Sequence, residues 1–155
     1  MVSAFLYAAI GILYEFIRSN RYIIRGGALK GHGLYPATIC CNLTNGKMPH
    51  GGNKRFKGLP MIAFDGQDRC LVNLKKGTTV KYKYFDLAET KMIEITARGS
   101  GEIAISCEES ALGKICVSGD IWKTYKADIT CGQNKAVLIF TVEKGIVDIL
   151  NFTLI

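Results

Sequence analysis

Short apolar segments separated by Gly, Asn and Asp follow one another along the chain from Tyr22 onward. Alternation of apolar and polar residues is clearest in Met92–Ala97 and Glu102–Cys107, where one side of an extended chain is apolar. A spacing of roughly ten residues, with no helical periodicity after residue 20, predicts an all-β sandwich or barrel. The candidate strands are Tyr22–Arg25, Tyr35–Leu43, Met61–Phe64, Val80–Leu87, Met92–Arg98, Glu102–Glu108, Lys114–Val117, Thr124–Ile129, Ala136–Glu143 and Val147–Leu154.

Glycine-containing turns divide these predicted strands. The three residues Gly99-Ser100-Gly101 suit a hairpin between two of them. The segment Thr44–Pro60 is the one long irregular stretch, with four Gly and two Pro among its 17 residues. Long loops on β scaffolds are commonly functional or mobile, so this segment is expected to be a loop of that kind.

The first residues form a separate apolar segment. Val2–Tyr14 is an apolar run of 13 residues that Glu15 closes. A membrane-spanning helix needs about 20 such residues, and a secretory signal carries its positive charge before the apolar stretch. We therefore expect neither, and interpret residues 1–21 as a short helix that packs on the domain or as the remnant of a linker. Residues 22–155 are the predicted β-sandwich.

Composition and charge fit one globular domain. The chain has 155 residues, of which 48% are hydrophobic and 21% charged. The net charge of +7 is uneven: residues 1–85 hold 13 Lys/Arg and 3 Asp/Glu (net +10), and residues 86–155 hold 7 and 10 (net −3). The basic residues occur in runs of two at most, without a nucleic-acid-binding motif. The pattern predicts a solvated surface and no nucleic-acid partner.

Six cysteines are present, at Cys40, Cys41, Cys70, Cys107, Cys116 and Cys131. They contain no CxxC pair and there is no paired His spacing, so no zinc site is expected. Adjacent Cys40 and Cys41 would point to opposite faces of a strand and would not bond each other. The cysteine content is below that of a disulfide scaffold. It predicts reduced, mostly buried thiols and a cytoplasmic protein.

Recognisable catalytic motifs are absent from the sequence. It contains no GxSxG, HExxH, P-loop or dinucleotide-binding glycine pattern. A nucleophile pair such as Cys41 with His50 has no partner in the sequence that would orient it. Glycoside hydrolysis needs two converging carboxylates. Asp65, Asp68 and Asp86 are candidates only because they are acidic, and a position on the solvated surface explains them better than a catalytic role. The sequence therefore predicts no catalytic residue.

Two aromatic clusters remain as candidate chemistry. Tyr82, Tyr84 and Phe85 lie in one predicted strand, and Trp122 and Tyr125 lie together in a second segment. Aromatic rings on a rigid β scaffold bind sugars, because sugar C–H bonds stack on the π face over a large apolar area. In a regular strand Tyr82 and Tyr84 share one face and Phe85 takes the other, so one set is expected in the core. The candidate sugar-binding residues are Trp122, Tyr82, Tyr84 and Tyr125.

Several segments resemble one protein family. They are GTTVKYKYFDL at Gly77–Leu87, IEITARG at Ile93–Gly99, GDIWKTYKADIT at Gly119–Thr130 and VDILNFTL at Val147–Leu154. Together they resemble the later strands of carbohydrate-binding module family 6, in the version that follows the catalytic domain of glycoside hydrolase family 43. That family contains enzymes of the β-xylosidase and α-arabinofuranosidase type. Gly33–Thr44 and Ile62–Arg69 are similar to the beginning of the same module.

The resemblance implies a jelly-roll β-sandwich of the galactose-binding-like type that binds plant-polysaccharide sugars such as xylan or arabinoxylan. It matches Trp122 to the loop tryptophan of the family, a candidate stacking platform, with Tyr82 or Tyr84 as the opposing aromatic residue. At the position where the family often has a sugar-binding Asn before the final strand, this chain has Ile146.

The resemblance also bears on metal binding. The family's structural calcium uses acidic residues near the start of the module and an Asp near its end. Asp148 matches that Asp, but Tyr22–Lys30 contains no acidic residue. A structural calcium is therefore doubtful, and no cofactor is predicted.

The leading hypothesis is a non-catalytic accessory module that binds an oligo- or polysaccharide. The alternative is a structural module that packs on a glycosidase catalytic domain without binding sugar. A third interpretation, that the chain itself hydrolyses glycosides, depends only on the family resemblance. No membrane partner is expected, since the apolar run at residues 2–14 is too short to span a bilayer.

Overall fold

The computed structural model describes residues 27–45, 58–108 and 110–155. The predicted N-terminal segment of residues 1–21, with its short helix, lies outside the described residues. So do the predicted strand Tyr22–Arg25 and the central part of the long loop, residues 46–57.

The described chain is almost entirely strand, which confirms the predicted all-β class. The strands are β1 (Gly33–Pro36), β2 (Asn42–Thr44), β3 (Met61–Asp65), β4 (Asp68–Lys75), β5 (Thr79–Phe85), β6 (Met92–Cys107), β7 (Ser110–Asp128) and β8 (Ala136–Leu154). One 3-10 turn, Ala37–Ile39, separates β1 from β2. In the described part of the chain no helix is long and apolar enough to cross a membrane.

Strand β8 is the centre of the sheet. Along one edge it pairs antiparallel with β6, from Leu138 opposite Cys107 to Leu154 opposite Ile93. Along its other edge it pairs with β5, then β4, then β1. Strand β7 pairs with the outer edge of β6, while β3 and β2 extend the sheet beyond β4 and β5.

The sheet curls so that its two halves pack against each other. Phe140 and Phe152 both belong to β8 and are twelve positions apart, which is about 40 Å along a straight strand. Their ring centroids nevertheless lie 5.3 Å apart. Tyr82 of β5 contacts both rings, at 5.2 and 4.9 Å. The strand has therefore turned back over the core, which gives the β-sandwich that was predicted.

Glycines let the three long strands β6, β7 and β8 bend where the sheet curls. Gly99, Gly119 and Gly145 have positive φ angles of 110°, 112° and 72°. Gly99 pairs with Gly119, and Gly101 pairs with Gly145, so the glycines of adjacent strands lie side by side. A Cβ atom on Gly145 would overlap the carbonyl oxygen of Ser100. The hairpin predicted at residues 99–101 is therefore wrong: these glycines bend a continuous strand rather than end it.

Two other strand predictions differ from the structure. The predicted strand Tyr35–Leu43 is broken after Pro36, because proline cannot donate a ladder hydrogen bond, and the two parts pair with different strands. Strand β4 is absent from the prediction. It carries buried Leu71 and Leu74 three positions apart, with Asn73 at a φ of 59° between them, so it lacks the two-residue alternation that marks a strand.

The cysteines are less buried than expected. Cys70 and Cys107 are buried, Cys40 and Cys131 are half-buried, and Cys41 and Cys116 are exposed. Cys40 and Cys41 lie between the 3-10 turn and β2 rather than inside a strand. The prediction that most of the thiols are buried is therefore wrong.

Candidate functional site

Four side chains from four strands meet at the bent end of the sandwich. The Trp122 indole Nε1 donates to Asp65 Oδ2 at 2.8 Å. Arg98 Nη1 donates to the same carboxylate oxygen at 2.8 Å, and Arg98 Nε donates to Asp148 Oδ2 at 3.0 Å. The guanidinium carbon of Arg98 lies 4.3 Å from the centroid of the Trp122 ring. We call Asp65, Arg98, Trp122 and Asp148 the tryptophan cluster.

Strand parity places these side chains outside the core. Ala97 and Ile149 are fully buried, so their neighbours Arg98 and Asp148 point away from the core. Arg98 lies directly opposite Asp148 in the pairing of β6 with β8. A register shift between Ala97 and Gly99 in the pairing with β7 leaves Arg98 opposite the segment that contains Trp122. The bend of the sheet therefore decides which residues meet.

A backbone group of β4 also binds the Asp148 side chain. The backbone N–H of Asn73 donates to Asp148 Oδ1 at 3.0 Å. Asn73 has a positive φ and lies within the register shift of the pairing between β4 and β8. Both carboxylate oxygens of Asp148 are thus engaged, so the orientation of this side chain is fixed.

The electrostatics of the cluster centre on Arg98. Its hydrogen bond to Asp148 is the main reason that the pKa of the guanidinium is raised, with Asp65 adding to the effect. Two carboxylates face one guanidinium, which leaves the cluster with a formal charge of −1. Among the described residues, Asp65 Oδ1 has no hydrogen-bond partner and remains an acceptor for a ligand hydroxyl group.

Exposed apolar residues lie in the same strands. Phe64 precedes Asp65 in β3 and is 73% exposed, and strand parity points its side chain to the face opposite to Asp65. Ile121 next to Trp122 is 67% exposed. Ile146, two residues before Asp148, is 50% exposed. The guanidinium of Arg69 lies 5.8 Å from the centroid of the Phe64 ring. Large exposed side chains of this kind are suited to stacking against a ligand.

The structure places the four predicted sugar-binding residues in different surroundings. The prediction for Tyr82 is contradicted, because this side chain is 1% exposed and its hydroxyl donates to the carbonyl of Ala37 at 3.0 Å. Tyr84 is half-buried and lies beneath two lysine side chains, with the Lys135 Nζ atom 4.7 Å from the ring centroid. The Tyr125 hydroxyl donates to the Ser118 carbonyl at 2.8 Å. Only Trp122 belongs to the tryptophan cluster.

A register shift explains why Tyr82 and Phe85 both lie in the core. The pairing of β5 with β8 shifts between Lys83 and Phe85, so Tyr84 occupies an irregular position. Tyr82 and Phe85 both point inward as a result, although a regular strand would place them on opposite faces. The predicted opposition of a tyrosine and Trp122 therefore does not occur at Tyr82.

Sequence reasoning missed Arg98, and treated Asp65 as solvated surface. No signal in the sequence could have brought these two residues together, because they are 33 residues apart and meet only through the sheet.

The surface of the described part of the protein has pockets, two of which are lined by residues from several strands and loops. One, of about 480 Å³, is lined by Leu34, Pro36, Thr38, Gln67, Asp68, Arg69, Leu150 and Asn151. Arg69 belongs both to this pocket and to the contact with Phe64. The other, of about 540 Å³, is lined by residues that include Lys30, His32, Asp86, Thr90 and Asn134.

The residues around Asp148 do not suit a calcium ion. Arg98 and the Asn73 N–H already occupy the two oxygens of this carboxylate, and a guanidinium beside the ion would oppose it. Within residues 27–45, 58–108 and 110–155 there is no group of three or more His, Cys, Asp or Glu side chains that could hold a metal ion.

Comparison with known proteins identifies one relative by sequence. No family model matches the chain. A xylosidase/arabinosidase of Thermoclostridium stercorarium is 33% identical in a comparison that covers 81% of this chain and 30% of that protein. The chain thus spans less than a third of the curated relative it matches.

Two solved structures show the same architecture. A family 6 carbohydrate-binding module from Clostridium cellulolyticum, in complex with xylose, has a TM-score of 0.67 at 12% identity, covering 82% of this chain and 99% of that one. A glycoside hydrolase family 43 arabinoxylan arabinofuranohydrolase from Bacillus subtilis has a TM-score of 0.61 at 9% identity, covering 82% and 28%. The fold is therefore that of family 6 carbohydrate-binding modules, which confirms the resemblance seen in the sequence.

Proposed function

We propose that this chain is a non-catalytic carbohydrate-binding module related to glycoside hydrolases that act on xylan or arabinoxylan. Its ligand is a plant oligo- or polysaccharide, bound at the tryptophan cluster. The observation that supports this proposal is the half-buried Trp122, whose orientation is fixed by Asp65 and Arg98.

The chemistry of this surface suits a neutral sugar. A sugar ring offers C–H bonds for an aromatic face and hydroxyl groups for fixed polar atoms. Trp122 provides the aromatic face. Asp65 Oδ1 provides a fixed acceptor, because the same carboxylate is already held through its other oxygen. A site whose side chains are held in place before binding loses less conformational entropy when the ligand binds.

The relatives support a saccharide as the ligand. The module from Clostridium cellulolyticum was solved with xylose, and the relative with the higher sequence identity is named for action on xylosides and arabinosides. Xylo- and arabino-oligosaccharides are therefore the first ligands to test.

Titration calorimetry with xylohexaose and arabinoxylo-oligosaccharides tests the proposal. The variant Trp122→Ala is expected to weaken binding by at least about tenfold, which corresponds to about 1.4 kcal/mol. Tyr84→Ala is the matched control, because it removes a half-buried aromatic ring outside the cluster and is expected to leave affinity unchanged. Circular dichroism would establish that each variant is folded.

A structural module that packs on a glycosidase catalytic domain is the second candidate. It is favoured by the exposed apolar side chains of Leu34, Ile62 and Phe64, and by the short share of the relative that the chain covers. Folded protein that binds none of these saccharides, yet co-elutes with a separately expressed family 43 catalytic domain, would support this candidate and overturn the first.

A further inference from the structure

One pair of cysteines lies in sulfur–sulfur contact. Cys107 is the last residue of β6, and Cys131 lies in the segment between β7 and β8. Their Sγ atoms are 2.7 Å apart, only about 0.7 Å longer than the S–S bond of about 2.05 Å. The hydrogen bonds of Cys41 and Cys70 are instead to backbone carbonyl oxygens, those of Lys81 and Ala63.

The backbone on both sides holds this contact in place. Cys107 pairs with Ser110 of β7 and with Leu138 of β8, so its position is fixed from two strands. The segment that contains Cys131 is held at one side by the hydrogen bond from the Ile129 N–H to the Lys91 carbonyl, at 2.8 Å. The two sulfur atoms therefore lie within about 0.7 Å of bonding distance.

The two thiols differ in their access to solvent. Cys107 is 1% exposed, and its burial is the main reason that the pKa of its thiol is raised to about 12. A buried thiol of this kind reacts poorly with reagents from solution. Cys131 is half-buried, so a reagent meets this sulfur first.

We propose that Cys107 and Cys131 form a disulfide when the protein meets a small-molecule disulfide oxidant such as oxidised glutathione. The Cys131 thiolate attacks one glutathione sulfur, and one reduced glutathione leaves. The Cys107 thiolate then attacks Cys131 Sγ, and the second glutathione leaves. In total two thiols lose two protons and two electrons to one oxidised glutathione, which becomes two reduced molecules.

This bond would fasten the turn between β7 and β8 to the end of β6. It closes a loop between residues 24 positions apart, and a cross-link of this length restricts the unfolded chain. We expect the melting temperature of the oxidised protein to exceed that of the reduced protein by roughly 5 to 15 °C. The pair would suit a module that works in an oxidising environment.

Intact-mass analysis after treatment with oxidised glutathione is the direct test. The expected product is lighter by about two mass units, and peptide mapping without reductant shows Cys107 linked to Cys131. A melting curve with and without reductant then measures the stabilisation. Cys131→Ser should abolish the difference between the two curves, whereas Cys116→Ser, which removes an exposed thiol outside the pair, should retain it.

Two results of the peptide map would contradict the proposed disulfide. A map in which Cys107 stays free while Cys131 carries glutathione would overturn the proposal, as would a bond between any other two cysteines. If Cys131→Ser does not fold, Cys107→Ala serves as the second variant, because it also removes one sulfur of the pair. The test is independent of sugar binding.

Discussion

The guanidinium carbon of Arg98 lies 4.3 Å from the centroid of the Trp122 indole ring. The same guanidinium joins Asp65 and Asp148, and Asp65 in turn accepts the indole N–H. Arg98 is therefore the side chain that connects all members of the tryptophan cluster. Its planar, permanently charged group can make these contacts at once, which a lysine could not do.

Arg98→Ala tests this positioning role. Without the guanidinium, Trp122 loses the contact on one face, and Asp65 and Asp148 lose their shared positive partner. We expect saccharide affinity to fall by about tenfold and the free energy of unfolding to fall by only about 1 kcal/mol, because the group is partly exposed to solvent. Calorimetry and urea denaturation measure the two quantities.

Lys126→Ala is the matched control for Arg98→Ala. It removes another exposed cation–carboxylate pair, that of Lys126 with Glu94 on the neighbouring strands. Affinity should be unchanged in this variant. Equal loss of affinity in both variants would contradict a specific role for Arg98.

Tyr82→Phe separates core packing from ligand binding. The substitution removes the buried hydroxyl that donates to the Ala37 carbonyl, so the free energy of unfolding should fall by about 1 kcal/mol. Saccharide affinity should not change, since the ring lies in the core against Phe140 and Phe152. A loss of affinity with unchanged stability would contradict this assignment.

Gly145→Ala tests the corner of the long strands. Gly145 has a φ of 72°, and a Cβ atom there would overlap the Ser100 carbonyl oxygen. We expect a loss of about 3 kcal/mol or more in the free energy of unfolding, from backbone strain together with the clash. Gly132→Ala is the control, since its φ of 69° is similar but no atom lies within 4 Å, and about 1 kcal/mol is expected. Equal losses in a denaturant series would show that the close approach is unimportant.

Glu102 gives the protein a pH dependence at acid pH. Its hydrogen bond to Lys144 is the main cause that lowers the pKa of Glu102 below its usual value of 4.5. A carboxyl group whose pKa is lower in the folded state stabilises that state above the unfolded pKa, and the stabilisation is lost as pH falls through the folded pKa.

The melting temperature should therefore begin to fall below about pH 4.5, and this fall should be shallower in Glu102→Gln. Melting curves at a series of pH values from 7 to about 2.5 measure the effect. Identical slopes for the two proteins would mean that other carboxyl groups cause the fall.

Local pattern was enough to predict much of the fold. The alternation in Met92–Ala97 and Glu102–Cys107 correctly indicated strands with one buried face, because that periodicity is a property of a few consecutive residues. It failed where a strand departs from regular geometry. Strand β4 was missed because its bulge disrupts alternation, and the glycine corners were interpreted as turns because glycine permits both.

The candidate site was predictable only at Trp122. The sequence indicated this residue by type and by resemblance, and by itself it also determined the all-β class. Only the tertiary structure decided that Tyr82 lies in the core and that Phe85 joins it there, through a register shift between Lys83 and Phe85. It also decided that Asp65, Arg98 and Asp148 meet, although Arg98 is separated from them by 33 and 50 residues. The reason is physical: alternation depends on adjacent residues, whereas a site made by a curled sheet depends on pairing between distant strands.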